Sequence, residues 1–506
     1  MKTATTARHL MGVSATLLFI VTIAGVASMP ALAASVSCPN EATRVEQGST
    51  FLPQCRAYEM VSGIEGPPRI EERQQVQIHG VRVASDGERA SYFTFYAPAG
   101  SSAADGYYFA RRGVEGWAIE AATPPQSNSA KTECIPTIYL SEELSAAILT
   151  DGRYQAELPY CGHNEPSLIE PQPSGWLSEP ELIDQNIFLR ESLQLASEYQ
   201  LINRTPSGVA PADAWLQAAS SDFSRVVFSE NAKLASGGPS GEALYEWFKG
   251  EVKLVSILPN GVPVAGKIVD DSTEGIGGSN DAAPYMHAVS ADGSRVFFTS
   301  GGKLYLRENA DAEQSTSGEC DESGKACTVQ IDASQAGGAG GQGRFLVANE
   351  SGMRVFFTDT AEAKLTTNTV KGSGANLYEY DVATGILTDL TPVADAQVEG
   401  VSGFGESSAS EYHLYFVANG ALASGAVTGD CSAPGVLAGT ELGSCSMYEL
   451  HSGAASPILV APLAALTDKN DWAPAETTTT VSPDGAYIAF NSAATVKTSA
   501  FPSGYN

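Results

Sequence analysis

The sequence predicts an all-β fold, a β-propeller of four-stranded antiparallel blades, on three observations. A hairpin-like segment returns along the chain, a second strand pattern follows it, and stretches with helical periodicity are nearly missing. The recurring segment reads Ala84-Ser85-Asp86-Gly87-Glu88-Arg89, Ser220-Ser221-Asp222-Phe223-Ser224-Arg225, Ser290-Ala291-Asp292-Gly293-Ser294-Arg295, Asn349-Glu350-Ser351-Gly352-Met353-Arg354 and Ser482-Pro483-Asp484-Gly485-Ala486-Tyr487. With degenerate copies at 140–149 and 410–416 there are seven. Asp-Gly accepts the positive φ of a tight hairpin turn, and the β-branched and aromatic residues after it form a strand. That strand is apolar at consecutive positions, as in Val296-Phe297-Phe298 and Val355-Phe356-Phe357, so both of its faces are covered.

The second pattern is Tyr108-Phe109-Ala110-Arg111, Ile187-Phe188-Leu189-Arg190, Leu244-Tyr245-Glu246-Trp247, Leu304-Tyr305-Leu306-Arg307, Leu377-Tyr378-Glu379-Tyr380 and Met447-Tyr448-Glu449-Leu450. A turn and a further strand follow most copies, giving a second hairpin and a four-stranded unit with a period of 59 residues between Gly293 and Gly352. A lone sheet of this kind cannot cover both faces, so successive sheets stack around an axis. Seven inner hairpins favour seven blades, with six or eight as alternatives, and only six outer hairpins follow, so the last blade is expected to be incomplete. Tyr58-Glu59 repeats the Tyr-Glu pair of the outer hairpins, which predicts that the segment after Cys55 closes the ring against 486–490.

Residues 1–33 read as an export signal: Lys2 and Arg8, an apolar run over 10–26, then the small-x-small site Ala31-Leu32-Ala33. The run of 17 apolar residues is short for a membrane span, so a secreted or cell-envelope protein without stable membrane insertion is expected. An N-terminal segment over 34–75 and a propeller over 76–506 follow, the latter with Gly/Ser/Pro-rich insertions. With 29 Lys and Arg against 58 Asp and Glu, and no basic run, nucleic acid is not an expected partner. The eight cysteines fall as neighbours, Cys38 and Cys55, Cys134 and Cys161, Cys320 and Cys327, Cys431 and Cys445, which in an exported chain predicts four sequential structural disulfides. No CxxC is present to support zinc.

The Ser-x-Asp-Gly-x-Arg-Val-x-Phe hairpin resembles the WD40-like (PD40) repeat of TolB-type propellers. Cys55-Arg56-Ala57-Tyr58-Glu59-Met60-Val61-Ser62 resembles the opening of a group of secreted bacterial propellers. The resemblance runs from about residue 38 to the end. It implies an interaction or scaffold module that binds a protein or glycan through its loops or channel mouth. The alternative it leaves is a propeller hydrolase or lyase, or the propeller portion of a longer peptidase. It also implies that six blades are the usual number.

No catalytic, cofactor or metal residues are assigned. Gly338-Ala339-Gly340-Gly341-Gln342-Gly343 matches G-x-G-x-x-G, but a strand pattern follows it where a dinucleotide site needs a helix. The acidic stretch Asp270-Asp271-Ser272-Thr273-Glu274-Gly275 with Asp281 is spaced loosely like a calcium loop and lacks flanking helices. His79 and His287 each begin an inner hairpin, where they could line the axis. Tyr245, Tyr305, Tyr378 and Tyr448 recur in blade after blade, which points to packing between sheets. Peptide mapping of the unreduced protein is expected to recover Cys134 linked to Cys161 and Cys431 linked to Cys445. Free thiols at Cys134 and Cys161 would refute the sequential pairing.

Overall fold

The computed structural model describes residues 38–59, 61, 82–94, 106–114, 116–122, 137–151, 186–191, 199–204, 214–239, 241–268, 287–317, 320–338, 340–372, 374–408, 410–429, 444–464 and 479–490. The chain divides into two compact units, Met1–Glu59 and Met60–Asn506.

In the first unit the helix α1 (Glu41–Glu46) is stapled by the Cys38–Cys55 disulfide. Arg44 is buried and donates to the carbonyls of Thr50, Leu52 and Arg56, so one guanidinium organises the whole turn-rich segment. The sequence reading missed this helix. Its signals were weak: six residues, an acid in the first turn, Arg44 in the last, and an Asn40 cap whose side chain makes no capping bond and donates instead to the Cys55 carbonyl at 3.0 Å. The ring-closing strand expected after Cys55 is not formed at 56–59. The N–H and C=O of Tyr58 are instead taken by the Gln47 side chain.

The second unit is a β-propeller of consecutive antiparallel sheets. Blade 1 holds β1 (Arg82–Val83), β2 (Arg89–Thr94), β3 (Gly106–Gly113) and β4 (Gly116–Ala121). Blade 2 holds β5 (Thr137–Leu140), β6 (Ala147–Asp151), β7 (Asn186–Arg190) and β8 (Gln200–Leu201). Blade 3 holds β9 (Trp215–Ala219), β10 (Arg225–Glu230), β11 (Ala243–Phe248) and β12 (Glu251–Leu254). In blade 4, β13 (Arg295–Ser300), β14 (Lys303–Glu308) and β15 (Cys327–Gln330) form the sheet, and among the described residues the inner edge of β13 is met by isolated bridges, Val289 with Val296 and Lys267 with Thr299. Blade 5 holds β16 (Arg344–Ala348), β17 (Arg354–Thr360), β18 (Ala375–Asp381) and β19 (Ile386–Asp389). Blade 6 holds β20 (Val398–Ser408), β21 (Glu411–Ala418), β22 (Ser444–His451) and β23 (Ile458–Ala464). The seventh inner hairpin is β24 (Thr480–Val481) and β25 (Ile488–Ala489), paired only with each other among the described residues. All six copies of the second pattern, five with a tyrosine and blade 2 with Phe188 in its stead, lie on the third strand of their blades.

The core follows the chain order. One apolar cluster joins blades 1 and 2, the next blades 2 and 3, the next blades 3, 4 and 5, then 5 and 6, and a small one blade 6 and the last hairpin. Within blades an aromatic from the second strand pairs with the repeated tyrosine of the third: Phe228 with Tyr245, Phe298 with Tyr305, Phe357 with Tyr378 and Phe416 with Tyr448, at ring-centroid distances of 5.3–6.2 Å. These four tyrosines are buried, as a packing role requires.

The repeat signature has a hydrogen-bond meaning. Ser290 Oγ accepts the N–H of Arg295 (3.0 Å) and donates to Asp292 Oδ1 (2.7 Å), while Asp292 Oδ1 accepts the N–H of Ser294 (2.9 Å). Ser220 with Asp222 and Ser482 with Asp484 repeat the same bonds, and Asn349 replaces the serine in blade 5. The glycine at the third place after that serine or asparagine serves the neighbouring blade. Gly293 has φ +67°, and a Cβ there would stand 1.6 Å from Arg225 Cδ of blade 3. Gly352 covers Arg295 and Gly485 covers His413 in the same way, with 3.1 and 2.7 Å to the Cβ of the residue beneath. Where blade 2 carries the small Ala146, blade 3 carries Phe223 in the glycine's place, with φ +60° and its ring buried in the same cluster.

Gly87 has a similar φ of +70° but open space around its Cβ position. Gly87→Ala therefore meets only the left-handed penalty of roughly 1–2 kcal/mol, and Gly293→Ala adds the clash with Arg225. Urea unfolding is expected to show the larger loss for Gly293→Ala. Equal losses would refute the interlock.

Candidate functional site

Two polar assemblies stand out, at opposite ends of the blades. The first is the end that carries the turns between first and second strands. Every one of the seven turns exposes a carboxylate there: Asp86 and Glu88, Glu142 and Glu143, Asp222, Asp292, Glu350, Glu411, and Asp484. The Asp86 carboxyl is held below its usual range chiefly by Arg89, and that of Asp484 by the Ser482 hydroxyl and the Ala486 N–H. At Asp222 and Asp292 partial burial pushes the other way, but the serine hydroxyls and backbone N–H groups outweigh it. These acids therefore stay anionic well below neutral pH.

In blade 1 the nearest cations stay at the turn, Arg89 on Asp86 at 2.8 Å and Arg112 on Glu88 at 3.4 Å, whereas those of blades 3, 4 and 5 are directed into the blades. Arg225 pairs with Glu246 and Asp311, both at 3.3 Å, Arg295 with Glu308 at 3.2 Å, and Arg354 with Glu379. His413 takes the equivalent place in blade 6, with Nδ1 2.7 Å from Glu449.

The second assembly lies where second strands end and first strands begin. Asp332 Oδ2 accepts the N–H of Leu304 and of Gly343, both at 3.0 Å, and Oδ1 accepts from Gln330 at 2.9 Å. Other blades meet the same strand-three N–H with neutral groups: Asn203 at Ile187, Ser256 at Leu244 and Thr391 at Leu377. A charge at this place is thus a departure from the repeat.

Asp359 stands beside it. Both of its oxygens accept the Gln342 N–H at 3.1 Å, and Oδ1 also accepts that of Thr360. Burial and then the neighbouring Asp332 charge raise Asp359 to about 7, against the backbone donors that act to lower it. The glycine-rich run wraps this pair. A Cβ at Gly341 would lie within 2.9 Å of both Asp332 Oδ2 and Asp359 Oδ2, so only glycine passes between them. The run leads into the strand β16, as the sequence indicated, and the chemistry it serves is carboxylate packing. Nearby, burial lowers Arg344 while Glu399 acts in its favour.

Of the cysteines, Cys38–Cys55 and Cys320–Cys327 are disulfides and Cys445 is disulfide-bonded. Cys134, Cys161 and Cys431 lie outside the described residues. Glu308 with Cys320 and Cys327 is the one grouping of three metal-ligand types among the described residues, but its sulfurs are bonded to each other and offer no thiolate. The acidic stretch 270–281, His79 and His163 also lie outside the described residues. His287 is brought to Glu142, a contact the sequence could not specify across 145 residues.

No protein-family profile matches the chain, and no curated protein matches it. Similar solved structures include TolB from Acinetobacter baumannii, 11% identical over 74% of this chain and 66% of that one, with a TM-score of 0.29. The β-propeller domain of the trilobed protease from Pyrococcus furiosus is 9% identical over 76% and 84%, with a TM-score of 0.30. Oligogalacturonate lyase from Vibrio parahaemolyticus is 11% identical over 82% and 86%, with a TM-score of 0.37.

The raised carboxyl makes a pH prediction. A folded-state pKa of about 7 against 3.8 means the native state holds a proton that the unfolded state gives up, so its contribution to stability is complete below about pH 4 and is lost as pH rises through 7. Asp359→Asn is expected to gain stability over the parent as pH rises from 4.5 to 8, by about 1 kcal/mol or more, the worth of one pKa unit. Parallel curves for the two proteins from pH 4.5 to 8 would count against the assignment.

Proposed function

We propose that the chain is an exported interaction module that docks a cationic protein partner on the turn-bearing end of the propeller and catalyses no reaction. The observation that carries this reading is the exposed carboxylate on each of the seven inner turns, in a chain of formal net charge −29. Complementary charge steers a lysine- or arginine-rich partner to such a surface and repels acidic ones. A neutral glycan gains nothing from it. Export rests on the signal pattern of 1–33, and the disulfides suit an oxidising compartment. No helix among the described residues is long and apolar enough to cross a membrane.

A second reading, hydrolase or lyase chemistry, has Asp332 and Asp359 in its favour, since two carboxyls stand side by side and one of them, Asp359, is raised to about 7.

The docking reading is tested with a fluorescent oligolysine peptide. Saturable binding at low salt is expected, weakened about tenfold, or roughly 1.4 kcal/mol, by combining Glu88→Gln, Glu350→Gln and Glu411→Gln. These three are exposed and stand outside the Ser-Asp turn bonds. Binding that is absent at low salt, or indifferent to the triple substitution, would remove the reading.

A further inference from the structure

Both ring nitrogens of His287 face oxygen acceptors. Nε2 lies 3.0 Å from Glu142 Oε1, and Nδ1 lies 3.2 Å from the carbonyl oxygen of Ala348. A carboxylate and a carbonyl both accept, and a neutral imidazole has a single N–H, so only the imidazolium satisfies both contacts. The ring sits in a left-handed backbone conformation, φ +53°, which is uncommon for a residue with a side chain.

The three groups come from three blades. Glu142 is in the turn between β5 and β6 of blade 2, His287 enters the inner edge of blade 4, and Ala348 ends the inner strand of blade 5. Blades 2 and 4 are separated by blade 3, and packed sheets stand about 10 Å apart. The contact is possible only because inner edges converge on the axis. The other charged groups around it are Glu350, from the turn of blade 5, which acts on His287, and Arg82 of blade 1, which acts on Glu142. Burial pulls the His287 pKa down, but the Glu142 bond and charge, the Ala348 carbonyl and Glu350 outweigh it and leave it raised. Glu142 is lowered in turn, chiefly by the His287 bond.

We infer that His287 is a proton-dependent clasp across the propeller axis that withholds Glu142 from the acidic docking end when protonated and releases it when neutral. The inference rests on the docking reading above, because Glu142 is one of the carboxylates offered there. The neutral ring keeps one of its two bonds. It drops either the turn of blade 2 or the strand of blade 5. A raised folded-state pKa makes this contribution complete below the unfolded histidine value of about 6.5 and lost as pH rises through the folded value.

The test uses the mature protein. Histidine ring resonances are followed by NMR against pH, with His287→Gln assigning the signal, and urea midpoints and oligolysine binding are measured over the same range. His287 is expected to titrate above about 6.5, and Glu142→Gln to move it down. The urea midpoint should fall through that titration in the parent and less in His287→Gln. Oligolysine affinity should rise about two- to threefold through it in the parent only, the scale of one exposed charge pair. Should His287→Gln fail to fold, Glu142→Gln at an exposed position still reports through the histidine shift. A His287 titration at or below about 6.5, or one unmoved by Glu142→Gln, overturns the clasp. The NMR and urea measurements need no partner, so failure of oligolysine to bind at every pH removes the docking reading alone.

Discussion

The contact of one blade's second-strand side chain with the turn of the next blade sets the terms for the rest of the propeller. Arg225 runs under Gly293, Arg295 under Gly352 and His413 under Gly485, and in each case the turn residue must be glycine both for its positive φ and for the space a Cβ would take. The contact has a direction, from a blade to its successor, so sheets joined this way can only follow chain order. It also sits at the inner edge, which tilts each sheet on the last and bends the stack toward a ring. The exchange at Ala146 and Phe223 shows the same constraint from the other side: when the side chain beneath is small, the turn residue is large and buried. Blade 6 has no Asp-Gly turn and meets Arg354 differently, with the Tyr412 ring at 4.7 Å from the guanidinium and its hydroxyl donating to Glu379.

Placing a guanidinium at this seam has an electrostatic consequence. A cation taken out of water needs a partner, and the third strand supplies one: Glu246, Glu308, Glu379 and, under His413, Glu449. Glu246 is so deeply buried that desolvation raises it to about 7 in spite of Arg225. In blades 3, 4 and 5 the scaffold thus consumes arginines internally while the turns keep their own acids facing water; in blade 1 Arg89 and Arg112 remain beside Asp86 and Glu88. The acidity of that end is a by-product of how the blades lock. The docking proposed for it needs no addition to the fold.

The hairpins, their order, and the packing role of the repeated tyrosines were legible in the sequence because each rests on local signals: Asp-Gly for the turn, consecutive apolar residues for a strand covered on both faces, and an aromatic at the same place in blade after blade, tyrosine in all but blade 2. What the glycine does for the neighbouring blade was not legible, since Arg225 and Gly293 are far apart in the chain and the reading of Asp-Gly as a turn residue pair was already sufficient. The Tyr58 segment misled for a related reason. Its Tyr-Glu pair copies an outer strand, yet its backbone is satisfied locally by Gln47. Asp332 was invisible because it fills a capping place that Asn203, Ser256 and Thr391 fill elsewhere, and a sequence with 58 acids gives no reason to single one out. The glycine run was read correctly as leading to a strand, but what it encloses depends on Asp359, which follows it on the next strand.

The two ends of the propeller use the same residue type to opposite effect, and the difference lies in what surrounds the carboxyl. At the turns, a hydroxyl and backbone N–H groups meet each aspartate while water reaches it, so ionisation is favoured and the charge persists. At the glycine-rich run, backbone donors also meet Asp359, but burial and the fixed Asp332 beside it outweigh them and the proton is kept to about pH 7. Acidification from neutral pH therefore leaves the turn end charged while it protonates Asp359 at the opposite end. His287 joins these behaviours, because its ring lies 3.0 Å from the turn carboxylate of Glu142, which helps to raise its pKa. A scaffold whose covalent and apolar framework is indifferent to pH in this way still presents a surface whose charge depends on it.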